Sequence, residues 1–155
     1  MMLLKRAEQI LEKYGWDVVV LRPTQKLQCN CWKEIYREPD SGCSICYGLG
    51  WIPHLSKWKA RFMPMDDSSF GSPGVYSVWY LPRDARVVTG DIIIDVEWEH
   101  GYAKDITDRY RIDASYNYKY AYNERIYIKT VCSRLKIDDY QEVNILAAIR
   151  ARLPI

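Results

Sequence analysis

The chain has 155 residues, 48% of them hydrophobic and 27% charged, with a net charge of +2 from 22 basic and 20 acidic side chains. That length fits one domain, or one domain with a small appended module, and it can bury a core without covalent staples. The balance excludes a disordered or fibrous chain, and the scattered basic residues lack the excess of a dedicated nucleic-acid binder.

The opening segment has helical periodicity. Leu3, Leu4, Ala7, Ile10, Leu11 and Tyr14 share one stripe, and Gly15 stands just past the helix end. Asp17–Arg22 is a β-branched run that reads as a strand stopped by Pro23. The apolar stretch at Met1–Leu4 is too short and too soon interrupted by charge for a secretory signal, and no run reaches membrane-spanning length. The expectation is a chain made and folded in cytosol, where clustered cysteines are more often metal ligands than disulfides.

From Thr24 to about Trp58 periodicity disappears, and Cys, Gly and Pro dominate. A loop this long inside a compact domain needs a crosslink, and a metal site supplies one economically. The remainder reads as consecutive strands: Lys59–Met65, Val75–Leu81, Asp91–Trp98, Arg109–Ala114, and a pair from Tyr116–Tyr122 and Arg125–Val131 joined near Asn123-Glu124. A loop of Asp, Ser, Gly and Pro separates the first two, over 66–74. Turn signals at short spacing predict a small β-barrel or sandwich. The tail from Asp138 reads as a final helix, with Asp138 or Asp139 as cap and Tyr140, Val143, Leu146, Ile149 and Leu153 on one face. Arg150 and Arg152 suit the negative end of its dipole. The expected organisation is a helix and strand at 1–23, a cysteine module at 24–58, a β-barrel or sandwich at 59–137 and a helix at 138–155. The fold class is mainly β, with terminal helices and a four-cysteine zinc-knuckle insertion.

Cys29-Asn-Cys31 and Cys43-Ser-Ile-Cys46 are two close pairs separated by eleven residues. Such pairs bring four soft thiolates from different turns into a tetrahedron, which points to a structural zinc ion. In the second pair, the two intervening residues let the chain wrap the metal with its backbone N–H groups toward sulfur. Gly48, two residues past Cys46, suits a turn with φ > 0. Disulfides crossing between the pairs, and free thiols, are the other states open to these residues. Four thiolates leave no open coordination position, so catalysis at the metal is not expected. Cys132 reads as a buried core thiol.

His54 is a spare ligand candidate, but Cys46 already completes the set. His100 sits beside Gly101 in an expected turn. Neither histidine has a setting that suggests nucleophilic catalysis. Asp66-Asp67, Asp91, Asp95 and Asp105 could in principle pair as acid and base, but Asp66-Asp67 reads as ordinary loop chemistry and Asp91, after Gly90, as the turn entry to a strand. With 13 Tyr and 6 Trp against 2 Phe, the chain is rich in side chains that suit half-buried strand faces and interfaces. Tyr116, Tyr118, Tyr120 and Tyr122 alternate onto one strand face, expected to pack on the core or a neighbour, to form a subunit interface, or, ranked last, to stack single-stranded nucleic acid.

The order of these features resembles small virion proteins of tailed bacteriophages. The resemblance rests on Tyr14-Gly15-Trp16, Leu21-Arg22-Pro23, Cys29-x-Cys31 and Cys43-x-x-Cys46-Tyr-Gly-Leu-Gly-Trp51. The later part, through Val87-Val-Thr-Gly-Asp91, Asp108-Arg-Tyr110-Arg-Ile-Asp113 and Tyr122-Asn-Glu-Arg-Ile-Tyr127, is similar to head–tail connector proteins of the stopper and adaptor class. The resemblance implies a non-enzymatic, homo-oligomeric ring between portal and tail, in contact with other neck, portal or tail proteins. DNA would pass through its lumen without sequence-specific binding, and no membrane is involved. The zinc module would brace a loop or meet a neighbouring ring, a departure from simple connectors, which need no metal. Its place would be the virion, assembled in host cytoplasm. The alternatives are a baseplate or other tail component and, in another class, a zinc-ribbon nucleic-acid-binding or regulatory protein.

Overall fold

The computed structural model describes residues 2–23, 28–64, 76–120, 124–136 and 142–153. Helix α1 (Met2–Tyr14) leads into strand β1 (Trp16–Leu21). After the cysteine segment come β2 (Leu55–Pro64), β3 (Tyr76–Pro82), β4 (Ile92–Glu99), β5 (Tyr102–Tyr120), β6 (Glu124–Arg134) and helix α2 (Glu142–Arg152). Pairing is antiparallel throughout. The strands run β1-β2-β3-β6-β5-β4, and β4 returns to β1 through Val18–Leu21 against Ile92–Asp95, which closes the sheet into a barrel.

Alternation along each strand sorts the side chains into two apolar clusters. The first is the barrel interior, and every strand contributes to it: Val18 and Val20, Ala60, Trp79 and Leu81, Ile93, Tyr110 and Ile112, Ile128 and Cys132. Phe62, Trp79 and Tyr110 meet with ring centroids 5.2–5.9 Å apart. The second cluster lies outside the barrel on β1, β4 and β5, where Val19, Leu21, Ile94, Val96, Ala103 and Ile106 pack with Ile145 and Ile149 of α2 and with Leu49 of the cysteine segment. The continuous apolar run Val18–Leu21 therefore serves two cores, one on each face of β1.

Arg22 and Asp91 tie one end of the barrel. The carboxylate is fully buried, and its Oδ2 accepts from Arg22 Nε (3.3 Å), Arg22 Nη2 (3.2 Å) and the Val88 N–H (3.0 Å). The same guanidinium donates to the Arg86 carbonyl at 2.8 Å. Asp91 thus joins the end of β1 to the turn that starts β4, a stronger role than the turn entry suggested by Gly90-Asp91 alone.

Several boundaries differ from the sequence reading. The sequence divides 109–114 and 116–122 into separate strands, but β5 is continuous from Tyr102 to Tyr120 and absorbs the irregularity in a register shift between Ile112 and Ala114. β2 starts at Leu55, inside the stretch read as cysteine module. The His100-Gly101 turn is as expected: both residues have positive φ (51° and 79°), which fits a tight hairpin between β4 and β5. On α2 the buried face is Ile145, Ala148 and Ile149, while Val143 is 81% exposed. Apolar residues surround much of this helix, so its contact with β5 and the cysteine segment, not its periodicity, selects the face. The loop at 66–74, the capping residues Asp138 and Asp139, Tyr140, Tyr122 and Asn123 lie outside the described residues.

Candidate metal centre

The cysteine segment begins and ends on paired backbone. Gln28 bridges Trp51, and the Cys29 N–H donates to the Gly50 carbonyl at 2.9 Å, so the two ends of the loop start side by side. A small hairpin follows, closed where Lys33 bridges Glu38 (N–H to carbonyl, 2.9 Å). The Asp40 carboxylate then accepts from the Gly42 N–H at 3.0 Å, and the Asp40 carbonyl accepts from the Cys43 N–H at 3.1 Å. The second turn wraps back on itself, with the Tyr47 N–H on the Cys43 carbonyl (3.0 Å) and the Leu49 N–H on the Cys46 carbonyl (3.0 Å). Gly48 and Gly50 have φ of +83° and +85°, a region where a side chain is strained. At Gly50 an added Cβ would also stand 3.0 Å from the Trp32 ring.

These turns bring Cys29, Cys31, Cys43 and Cys46 together, with all four sulfurs within 4.8 Å of one another. Cys29 Sγ and Cys43 Sγ are 3.7 Å apart, and Cys31 Sγ and Cys46 Sγ are 3.4 Å apart. A tetrahedron with metal–sulfur bonds of about 2.3 Å has an edge of about 3.8 Å, so the cluster is near the size that one metal ion requires. Cys29 and Cys46 are buried and the other two half-buried, so the ion would sit with one side covered and one side toward solvent. The four cysteines can therefore hold a metal ion through a complete protein shell.

Electrostatics favour an added cation. The Cys43 thiol is lowered to about 7 by the N–H groups of Cys46 and Ile45, the latter 3.4 Å from its sulfur. Cys31 is helped by the Asp40 backbone, yet partial burial and the sulfurs of Cys46, Cys29 and Cys43 push it up to about 12. The crowded sulfurs thus oppose ionisation of Cys31. A divalent ion removes that conflict, because it binds the thiolate and not the thiol.

Helix α2 locks the module to the barrel, a contact that the sequence reading misses. Arg152 donates from Nη2 to the Ile45 carbonyl (2.7 Å) and from Nη1 to the Pro53 carbonyl (3.3 Å), and its guanidinium lies 5.8 Å from the Tyr47 ring centroid. Arg150 reaches the Ala103 and Lys104 carbonyls at 2.8 and 2.9 Å. Both arginines, expected to serve the helix dipole, instead satisfy carbonyls of other elements. The only available signal is their position in the last turn of a helix in a chain that also carries an aperiodic loop.

The other candidates fall elsewhere. His54 is exposed and outside the sulfur cluster, and its carbonyl accepts from the Arg22 N–H at 3.0 Å. Cys132 is a buried thiol inside the barrel, beside the Thr130 hydroxyl at 3.3 Å. Burial pushes it up to about 12. Asp95 lies opposite Asp108 across β4 and β5. Burial raises its carboxyl, opposed by the Trp16 indole N–H at 3.1 Å. Asp105 accepts from the Ile106 N–H, and Asp66-Asp67 lies outside the described residues. Tyr116 is 55% exposed on β5. Tyr118 and Tyr120 follow on the same strand, but their side chains, like Tyr122 as a whole, are outside what is described. Among the described residues no helix is long and apolar enough to cross a membrane. No protein-family model matches the chain, and no curated protein matches it significantly.

Proposed function

We propose that this chain is a non-enzymatic structural subunit of a tailed-bacteriophage virion, a head–tail connector of the neck in which the four cysteines hold a structural zinc ion. The observation that carries the reading is the closed four-sulfur cluster that ties a long loop to itself, in a segment whose Leu49 and Trp51 pack on the outside of a barrel. That loop runs from Gln28, where it bridges Trp51, to His54, the residue before β2. Zinc fits because it takes four thiolates tetrahedrally without redox chemistry, and a full thiolate shell stabilises a loop and leaves no position for substrate. The sequence resemblance to neck proteins supplies the setting: a ring of these barrels between portal and tail, with DNA crossing its lumen.

Two measurements test this. Metal analysis of the purified chain is expected to find one zinc per chain, and far less than one with oxidised thiols would remove the zinc. Antibody labelling of virions is expected at the head–tail junction, whereas label at the distal tail end would make it a baseplate component. A second reading has one observation in its favour: Tyr36 stands exposed between Lys33 and Arg37 on the cysteine hairpin, as a base-stacking residue in a zinc-ribbon nucleic-acid binder would. Salt-sensitive DNA binding by the isolated chain would favour it.

A further inference from the structure

The four cysteines of the metal centre differ in access. Cys29 and Cys46 are buried, at 2% and 0% exposure, while Cys31 and Cys43 are half-buried. Two sulfur contacts cross between the sequence pairs, and each joins one sulfur of either kind. Cys29 Sγ meets Cys43 Sγ at 3.7 Å, and Cys46 Sγ meets Cys31 Sγ at 3.4 Å.

Four cysteines allow three ways of forming two bridges. Pairing within the sequence pairs needs a bridge from Cys29 to Cys31, which are separated by one residue in a turn closed by the Trp32 N–H on the Cys29 carbonyl (3.0 Å). A disulfide of ordinary geometry does not fit so short a span. Pairing Cys29 with Cys46 and Cys31 with Cys43 would join the two buried sulfurs to each other, and an oxidant in water reaches neither of them first. Pairing Cys29 with Cys43 and Cys31 with Cys46 follows the existing contacts. It also gives each bridge an accessible sulfur to begin the reaction and a buried one to complete it.

We propose that these cysteines are sites of reversible oxidation, at which a peroxide converts the metal-binding cluster into two crossed disulfides, Cys29–Cys43 and Cys31–Cys46. In each pair the accessible thiolate attacks one peroxide oxygen. An S–O bond forms, the O–O bond breaks, and the leaving hydroxide takes up a proton as water. The buried partner then attacks the oxidised sulfur as a thiolate. The S–S bond forms, the S–O bond breaks, and a second water leaves. Over both steps two thiols and one hydrogen peroxide become one disulfide and two waters, with the two electrons passing from sulfur to the peroxide oxygens. The ion is released, because it binds thiolates and none remain. The bridges join residues 14 and 15 positions apart and tie the points that the ion ties, so the loop stays fastened under either crosslink. The inference rests on the closed cluster of the metal reading, and needs neither the virion setting nor zinc in particular.

The test uses the full chain, purified under reducing conditions, analysed for metal and then treated with hydrogen peroxide. Peptide fragmentation by mass spectrometry is expected to find Cys29 linked to Cys43 and Cys31 to Cys46, with any bound ion released and the buried Cys132 still a thiol. Dithiothreitol should restore the four thiols. Amide exchange across residues 29–50 should stay slow in the oxidised chain, whereas chelation of the reduced chain speeds it. In Cys29→Ser, dimedone should label Cys43 as a trapped sulfenic acid, while in Cys43→Ser it should leave Cys29 unlabelled. Where either variant fails to fold, the wild-type pairing decides. Any other pairing, oxidation to sulfinic or sulfonic acids without bridges, or a bound ion that peroxide does not displace overturns the inference, and the metal reading stands if the reduced chain held its ion. A reduced chain that holds no metal yet forms these two bridges removes the zinc and supports the pairing.

Discussion

The barrel interior and the cysteine segment solve the same problem of holding a chain in place, by opposite means. Inside the barrel, side chains from six strands interlock around Trp79, and the surrounding ladders satisfy the backbone. The cysteine segment has few apolar anchors: Leu49 and Trp51 in the outer cluster, with Cys29, Cys46 and Pro53 buried. Most of its remaining order comes from turns, from Arg152 and from the four sulfurs. The difference teaches that one region is stable through burial, while the other relies on polar ties and on four sulfurs that can hold an ion. The two should therefore separate under the right perturbation.

Metal removal is the largest expected effect. Structural zinc contributes about 10–16 kcal/mol of apparent binding free energy in small thiolate modules at neutral pH. Chelation, or Cys46→Ser, should release the hairpin and raise amide exchange across residues 29–50, while exchange in β3 and β6 stays slow. Equal loss of protection in both regions would show that barrel and module are one cooperative unit. Trp79→Ala acts on the other side of the comparison. A fully buried indole at the centre of the barrel should cost about 3–5 kcal/mol in denaturant unfolding without lowering zinc affinity.

Smaller changes sharpen the boundary. Arg22→Ala leaves the buried Asp91 without its cation and should cost about 2 kcal/mol, discounted from a fully buried pair because the arginine is partly exposed. Arg152→Ala removes two hydrogen bonds that join α2 to the module and should cost about 1–2 kcal/mol, read as faster metal release to a chelator with little change in barrel unfolding.

The thiols give the finest distinction. In metal-free protein at pH 8, Cys43, lowered to about 7, should alkylate readily, whereas Cys132, pushed up to about 12, should react only after unfolding. Tyr110 is likewise raised to about 12 by burial. The sign follows from proton binding: the unfolded chain loses these protons from about pH 9 (Cys) and 10 (Tyr), while the folded barrel keeps them to about 12. The unfolded state then binds fewer protons, so stability falls as pH rises through that window and is unaffected by these groups below it. An alkaline unfolding midpoint that does not move in Cys132→Ala would remove the thiol from this account.

Much of the fold and of the candidate metal site is legible in the sequence. Local chemistry marks the ligands, since thiol pairs at short spacing beside Gly48 and Gly50 have few other uses, and the β-branched and aromatic runs lie within a few residues of the strands. Local patterns are least informative where a residue's partner is distant. Periodicity places Val143 on the buried face of α2 because it counts apolar residues and not the surface they meet. Asp91 reads as a turn residue because Arg22 lies 69 positions away. The two expected strands at 109–114 and 116–122 merge because a register shift keeps β5 paired to β6 across the interruption.

The sequence by itself determined the mainly β character, the four cysteines that can hold a metal and the terminal helices, all of which follow from spacing and composition over short distances. Only the tertiary structure decided that β4 pairs with β1 to close the barrel, that Arg152 clamps the loop carrying those cysteines, and that α2 and α1 cover opposite arcs of the barrel. These depend on which distant segments pair, and that choice is made by burying both faces of β1 at once, a condition no single stretch of sequence contains.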